Sequence, residues 1–326
     1  MMPASLRMID ICIPAAPKDY AKLGRCVRGV LESSETPIAR VFLVAQDDEP
    51  LAALDTSVAK AVSVVKERDF PFTKGDIAQL LEQQGASNRH ASWYYQQLLK
   101  LYVFEVIDGL RDHVLILDAD LTFCRPLSFL TADGRALLSR GYPFKWLLGT
   151  RDYPSQIDHI HAEFARRLVH GWKPTDSFSG MHHHMVFRRD IMAELFDAVE
   201  HAHGQPFWRA FAGNVRLEKW NAASEYVLYY HFARARHSER IAVRDLKTCD
   251  ILHDADDDVG ALEEFDRQLA SRMFDAVGCH AFLDLRTRLA SMDYIPPDLQ
   301  IRLSRSCAAK FLLQLEDSTL QIRAVE

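Results

Sequence analysis

Two aspartates, Asp118 and Asp120, stand one residue apart at the end of an apolar run, Val114-Leu115-Ile116-Leu117. Such a run reads as a strand buried on both faces of a parallel sheet. Ligand sites of open α/β sheets lie at the carboxyl ends of the strands. In extended chain, positions i and i+2 point to the same side. The spacing therefore predicts two carboxylates side by side, with no basic residue among their immediate sequence neighbours. A divalent cation would relieve their repulsion, and oxygen ligands suit Mg²⁺ or Mn²⁺. The plain structural alternative is a strand end finished by two solvated turn aspartates.

Three other stretches could bring chemistry to that strand end. Ser92 to Ile107 reads as a helix, with apolar residues 95, 98, 99, 102 and 106 on one face. Gln96, Gln97 and Lys100 share another face. The helix feeds directly into the aspartate strand, so that polar face is expected to border the same site. A solvated lysine is the alternative. Thr175 to Gly180 reads as a loop, with Ser179 and Gly180 at its end, followed by an apolar strand that opens with His182, His183 and His184. In a strand, His182 and His184 would share one face. An H-x-H pair can hold zinc, but no third ligand with defined spacing is visible, so packing and substrate hydrogen bonding are expected. Asn221 to Phe232 reads as a helix capped by Ser224 or Asn221. Glu225 then falls in its first turn, either compensating the helix dipole or aimed at a substrate hydroxyl.

The elements that must position these residues follow a strand–helix–strand grammar. Met8–Pro14, Ala39–Ala45 and Val62–Lys66 read as strands, and Tyr20–Glu32 and Leu51–Ala61 as helices. This predicts a doubly wound, parallel half-domain. No GxGxxG or GxxxxGKS loop follows the first strand, which argues against a dinucleotide dehydrogenase or a P-loop protein. Glu67 to His90 reads as polar and irregular. Trp146–Gly149 is a short apolar run, and Ile157–His170 and Asp190–His201 are expected helices. His253 to Asp258 is an acidic cluster expected to be a solvated loop. Asp275 to Phe282 reads as a late strand with His280 near its end. Pro296 and Pro297 introduce an expected amphipathic helix, Leu299–Leu315, carrying Arg302, Arg305 and Lys310. Residues 1–290 are expected to form the main domain, with 291–326 a helical extension packed on it. Weak peripheral membrane contact is the alternative role for that extension.

Bulk properties narrow the class. The chain has 326 residues, is 48% apolar and 26% charged, and carries a net charge of −6. That describes a globular protein with a sizeable core and gives no global pull towards nucleic acid or an acidic membrane surface. The six cysteines show no CxxC spacing, as expected of reduced thiols in a cytoplasmic protein. No secretory signal or transmembrane segment is expected.

Taken together, WYYQQLLKLY (93–102), LDADLTF (117–123), the Phe178-Ser179-Gly180 turn, HHMVF (183–187) and SEYVLYYHF (224–232) resemble nucleotide-sugar glycosyltransferases of the GT-A fold. The layout is similar to glycogenin-like enzymes and closest to a bacterial group of predicted glycosyltransferases. The resemblance spans roughly Met8 to Phe282, and its most specific part is Trp93 to Pro126. It implies a Rossmann-type mixed sheet flanked by helices. It implies that Asp118 and Asp120 form the DxD motif holding Mn²⁺ or Mg²⁺ on the donor diphosphate, as a Lewis acid for the leaving group. His280 is then the third metal ligand, with His253 its rival. Lys100, Gln97, Asp47, Ser179, Gly180, His183 and His184 become donor contacts, and Pro14–Asp19 and Gln46–Asp48 border the nucleotide. Glu225 would be a catalytic or sugar-binding acid and, in an inverting enzyme, the general base that deprotonates the acceptor hydroxyl. A UDP-sugar donor, a carbohydrate or glycolipid acceptor and a setting in cell-surface polysaccharide assembly follow. The sequence departs from the glycogenin-like pattern at Phe178, where that pattern has asparagine, and in the three histidines after the glycine.

Two other classes fit parts of the pattern. Asp118-Ala119-Asp120-Leu121-Thr122 matches the D-x-D-x-T of haloacid-dehalogenase-type phosphatases, in which Asp118 would be the nucleophile and Asp120 the acid/base. That family places the motif near the start of its domain, whereas here a whole half-domain precedes it. A catalytically inert sugar- or nucleotide-binding scaffold is the third reading.

Overall fold

The computed structural model describes residues 8–85, 90–140, 143–145, 159–216, 221–246, 248–252, 274–280, 310–316 and 319–325. A five-stranded sheet sits at its centre. The first strand, β1 (Ile9–Pro14), is buried throughout, as its alternating and then continuous apolar sequence requires. The chain passes through a 3₁₀ turn at Pro17–Asp19 into α1 (Tyr20–Ser33), and returns as β2 (Ile38–Ala45) beside β1. Two short turns of helix, α2 (Glu49–Ala52) and α3 (Thr56–Ala59), replace the single helix expected over Leu51–Ala61. They lead to β3 (Val62–Lys66), parallel to β2.

The polar stretch after β3 holds a helix that hydrophobic periodicity does not announce, α4 (Lys74–Gln83). Its start is written in a capping box: Thr73 accepts from the Asp76 N–H, and Asp76 accepts from the Thr73 N–H at 2.7 Å. Next come α5 (Ala91–Leu101) and α6 (Val103–Val106), two helices where one was expected, with Tyr102 at the break. Then β4 (His113–Leu117), buried along its whole length, enters the sheet beside β1.

The apolar run does not continue as one strand through the two aspartates. The chain turns at Asp118, with the Leu121 N–H donating to the Asp118 carbonyl at 3.1 Å, and β5 (Leu121–Phe123) joins a different sheet. After β6 (Ala136–Ser139), β7 (Pro143–Lys145) and α7 (His159–Leu168), β8 (His184–Arg188) closes the central sheet, antiparallel to β4. The strand order is β3-β2-β1-β4-β8. The remaining elements are α8 (Arg189–His203), α9 (Phe207–Gly213), α10 (Glu225–Arg236), β9 (Ile241–Arg244), β10 (Thr248–Leu252) and β11 (Ala276–His280). A second sheet has the order β5-β11-β10-β7, and β6 pairs with β9. The fold is thus Rossmann-like α/β: a mostly parallel sheet covered by helices.

The direction of strand addition reverses between β1 and β4. β1–β2–β3 grow one way and β4–β8 the other, so a topological switch point lies between β1 and β4. Asp10 pairs with Val114 and Cys12 with Ile116. Two residues further along each strand, Pro14 and Asp118 close the same carboxyl edge.

The expected C-terminal helix is corrected where the chain is described. Residues 310–316 and 319–325 form an antiparallel hairpin, β12 (Lys310–Glu316) and β13 (Thr319–Val325), with Leu313 opposite Ile322. Phe311, Leu313 and Leu315 alternate with polar or mixed positions, and Leu320, Ile322 and Ala324 do the same. That is a period of two, which favours a strand over a helix. Leu299 to 309, Trp146–Gly149, His253 and the Asp254–Asp258 cluster lie outside the described residues. No helix among the described residues is long and apolar enough to cross a membrane.

Candidate functional site

A lysine that sequence spacing places on a polar face is buried at the centre of the site. Lys100 lies on the last turn of α5, and its Nζ sits 2.5 Å from Asp118 Oδ1 and 2.6 Å from Glu225 Oε1. Only 4% of its side chain is exposed. The ammonium also donates to the Tyr226 hydroxyl at 3.3 Å and lies 4.6 Å from the centre of that ring. Burial opposes its charge, but Asp118 and Glu225 push its pKa well above lysine's ordinary value. α5 and the β4 turn, close in sequence, and the distant α10 converge on one cation.

Asp118 is held on both oxygens. Oδ1 receives Lys100 and, at 3.4 Å, the Tyr226 hydroxyl; Oδ2 lies 3.2 Å from His183 Nδ1. Burial alone would raise its pKa, yet Lys100 and then His183 hold the carboxyl well below the usual carboxylate range. The expectation of a carboxylate pair without a basic neighbour holds for the sequence and fails in space, because the cation comes from the preceding helix. The expectation that extended chain aligns Asp118 and Asp120 is corrected as well, since both lie in the turn.

A third aspartate joins them. Asp19, buried at the end of the 3₁₀ turn after β1, has its pKa raised by burial and further by the charges of Asp120 and Asp118, while Lys18 and Lys22 oppose the rise. Lys22 lies 3.8 Å from it. The Cys26 thiol beneath is pushed well up by burial, then by Asp120 and Asp118. The sequence marks Asp19 only as the border of a strand end. Its position, directly after the β1 edge and before α1, is the signal that could have singled it out.

α10 is set by its cap. Ser224 Oγ accepts from the Val227 N–H at 3.3 Å, which fixes Glu225 in the first turn. Gln97, one turn before Lys100, grips this entry at both ends: its Oε1 accepts from the Glu225 N–H at 3.0 Å and its Nε2 donates to the Ala223 carbonyl at 3.1 Å. Glu225 is buried and bound to Lys100 rather than facing solvent. Gln97 therefore builds the site from within, and Tyr226 is a member that sequence reasoning missed.

The histidine segment splits three ways. His183 adopts a left-handed backbone (φ 57°), uncommon for a residue other than glycine. Its carbonyl accepts from the Asp118 N–H at 2.9 Å. This kink, rather than an extended strand, turns its imidazole onto Asp118. His184 is buried between Phe123 and Phe129, with its Nδ1–H donating to the His182 carbonyl at 2.8 Å. Burial pushes its pKa down to about 3, so it is a neutral histidine of the core. His182 is also buried, with Nδ1 3.1 Å from Thr248 Oγ1. The expected common face of His182 and His184 is corrected, because β8 begins only at His184.

The other sequence candidates scatter around this centre. Ser179 is buried and its Oγ accepts from the Met181 N–H at 3.2 Å. Gly180 has φ 68°, and a Cβ there would lie 2.5 Å from the Tyr230 ring. Asp47 is at the surface beyond β2, accepting from the Glu49 N–H at 2.9 Å. Beside it, the Tyr95 hydroxyl donates to Glu67 Oε2 at 3.2 Å. His280 ends β11, whose ladder pairs Gly278 with Leu121, so its backbone runs towards the Asp118–Asp120 turn.

Such a centre can neutralise, orient and bind. It offers carboxylate oxygens from two strand ends and two buried ammonium groups, Lys100 and Lys22. Among the described residues, no group of three His, Cys, Asp or Glu is arranged to enclose a metal ion. Magnesium-type sites commonly use one or two carboxylates and complete their shell with substrate oxygens.

Fold and site together define a Rossmann-like α/β protein with a cluster of acidic side chains at its switch point. A family described as a family of unknown function (DUF6492) matches residues 30–285, and the chain belongs to it. Among curated proteins none matches the sequence.

Proposed function

We propose that this chain is a nucleotide-sugar-dependent glycosyltransferase of the GT-A type, acting on a carbohydrate or glycolipid hydroxyl. The observation that carries the reading is the cluster at the β1–β4 switch point, where Asp118 meets the buried Lys100 at the carboxyl edge and Asp19 feels the charges of both Asp118 and Asp120. Burial raises the pKa of Asp19 most, and the negative charge of Asp120 and Asp118 adds to the rise against Lys18 and Lys22. That charge fits a divalent cation held by Asp120 and Asp19, with Asp118 behind them. When bound, Mn²⁺ or Mg²⁺ supplies charge stabilisation on a leaving nucleoside diphosphate.

The chain's own residues then divide the work. Lys100 keeps Asp118 ionised and fixed. Glu225 holds Lys100, so it acts as a positioning residue for that cation and not as a free general base. His183 stands on the outer oxygen of Asp118, half-exposed, where a phosphate or sugar hydroxyl can meet it. A UDP-sugar is the donor assigned, the cytoplasm the compartment and cell-surface polysaccharide or glycolipid assembly the setting.

The test is calorimetric titration of the intact protein with UDP, GDP and ADP, each with and without Mn²⁺, repeated on Asp120→Ala. Metal-dependent binding of one nucleotide, lost in the variant, is expected. No nucleotide binding, together with phosphate release from a simple phosphomonoester that requires Asp118, overturns the reading in favour of a haloacid-dehalogenase-type phosphatase.

A further inference from the structure

The loop Thr175–Gly180 is fastened to α10 by contacts that the proposed chemistry leaves unused. His231, on the second turn of α10, is buried and bonded at both ring nitrogens. The Thr175 backbone N–H donates to Nδ1 at 3.0 Å, and Nε2 lies 2.9 Å from the Phe178 carbonyl. A backbone N–H can only donate and a carbonyl can only accept. Nδ1 therefore carries the lone pair and Nε2 the proton, so the ring is neutral and of one tautomer. Burial pushes its pKa down to about 4, which keeps it so at neutral pH.

One turn further on, Arg234 pairs with Asp176, which also accepts from the Tyr230 hydroxyl at 3.5 Å and from the Phe178 N–H at 2.9 Å. Trp172, just before the loop, donates its indole N–H to the Leu228 carbonyl at 3.3 Å. At the loop's far end Gly180 lies flat on the Tyr230 ring, with no room for a side chain. Three residues later comes His183, whose carbonyl and imidazole both engage Asp118. The first turn of α10 meanwhile supplies Glu225 and Tyr226 to the same carboxylate cluster.

We propose that His231, with Arg234 and Tyr230, is a positioning residue that locks the Thr175–Gly180 loop onto α10 and thereby sets where His183 meets Asp118. One helix then fixes both walls of the site, the Lys100–Glu225 wall through its first turn and the His183 wall through its second and third. The catalytic meaning of this lock rests on the transferase reading, whereas the lock itself does not.

The experiment compares wild type, His231→Phe and His231→Gln, intact and without ligand, by amide hydrogen exchange and by histidine-ring NMR. Phe keeps the ring volume and loses both bonds, while Gln retains an amide that can donate to the Phe178 carbonyl. In His231→Phe, exchange over residues 175–183 is expected to rise about five- to tenfold, with the β4 and α10 amides unchanged. The His183 ring signals are expected to move, and His231→Gln to restore both in part. Unchanged exchange and unchanged His183 signals overturn the proposal, as does a rise spread equally over the central sheet. Should His231→Phe fail to fold, Asp176→Asn on the half-exposed loop takes its place with the same two readouts and the same criteria. A last arm titrates UDP with Mn²⁺. Weaker binding by the variant than by wild type supports the link to the site, and equal binding overturns it. A wild type that binds no UDP counts against the transferase reading, and the exchange and NMR results still decide the lock.

Discussion

The two edges of the central sheet both bury an aspartate, and they treat it differently. At the amino edge, Asp10 of β1 is fully buried and receives Arg40 twice, at 3.1 and 2.5 Å, and the Arg111 N–H at 2.8 Å. One carboxylate meets one guanidinium, which stays 43% exposed and donates its remaining bond to the Gly109 carbonyl. At the carboxyl edge, Asp118 and Glu225 share a single buried lysine, with Asp120 and Asp19 close by. The first edge is balanced and complete. The second gathers Asp118, Glu225, Asp120 and Asp19 with two buried lysines, Lys100 and Lys22, an arrangement costly for a scaffold and useful for a site.

The comparison breaks most sharply at Lys100. Lys100→Met removes the shared cation and leaves two buried carboxylates facing one another, an expected loss of about 3–5 kcal/mol in urea unfolding at pH 7. Next in size is the ligand-linked effect. Mn²⁺ with UDP at a hundredfold excess over its Kd should stabilise wild type by about 2.7 kcal/mol. Asp120→Asn should lose that increment in a thermal-shift or urea assay while Asp10→Asn retains it; equal retention would remove the functional distinction between the edges. Asp10→Asn itself should cost about 1.5 kcal/mol, less than Lys100→Met, because Arg40 can turn to water when released.

The smallest effect near neutrality appears only on acidification. The folded-state pKa of Asp118 lies below its unfolded value of about 3.9. The unfolded chain therefore takes up the proton first, and the pair's stabilisation, fully present above about pH 4, is lost as pH falls below it. Urea titrations at pH 5, 4 and 3 should show a shallower loss below pH 4 in Asp118→Asn than in wild type. Loss between about pH 6.5 and 4 has another origin, the buried neutral His113, His184 and His231, which resist protonation in the folded state.

Local signals carried much of this architecture. The strands β1 to β4 and the helices α1, α8 and α10 follow from apolar runs, helical spacing and the Ser224 cap. The two aspartates stand out because an apolar strand delivers them to a carboxyl edge. What stayed hidden is contact across distance. Lys100 and Glu225 are 125 residues apart, and no spacing rule joins them. The left-handed backbone of His183 has no glycine or asparagine to announce it, since tertiary bonds to Asp118 impose it. α4 was legible in Thr73-x-x-Asp76 but is masked by its low hydrophobic contrast. The C-terminal hairpin was misread because a leucine-rich stretch satisfies helical and strand periods over short windows.

The strand order also governs when the site can exist during folding. β2 pairs with both β1 and β3 within the first 66 residues, so that ribbon assembles from short-range encounters. β4 must find β1 across about a hundred residues, and β8 must then find β4, closing large loops at an entropic cost. Asp118 gains its lysine, its histidine and its neighbours only when those late strands dock. A chain arrested before that point carries a nearly complete sheet nucleus and none of the Lys100–Asp118–Glu225 cluster, so formation of that cluster reports completed folding of this protein.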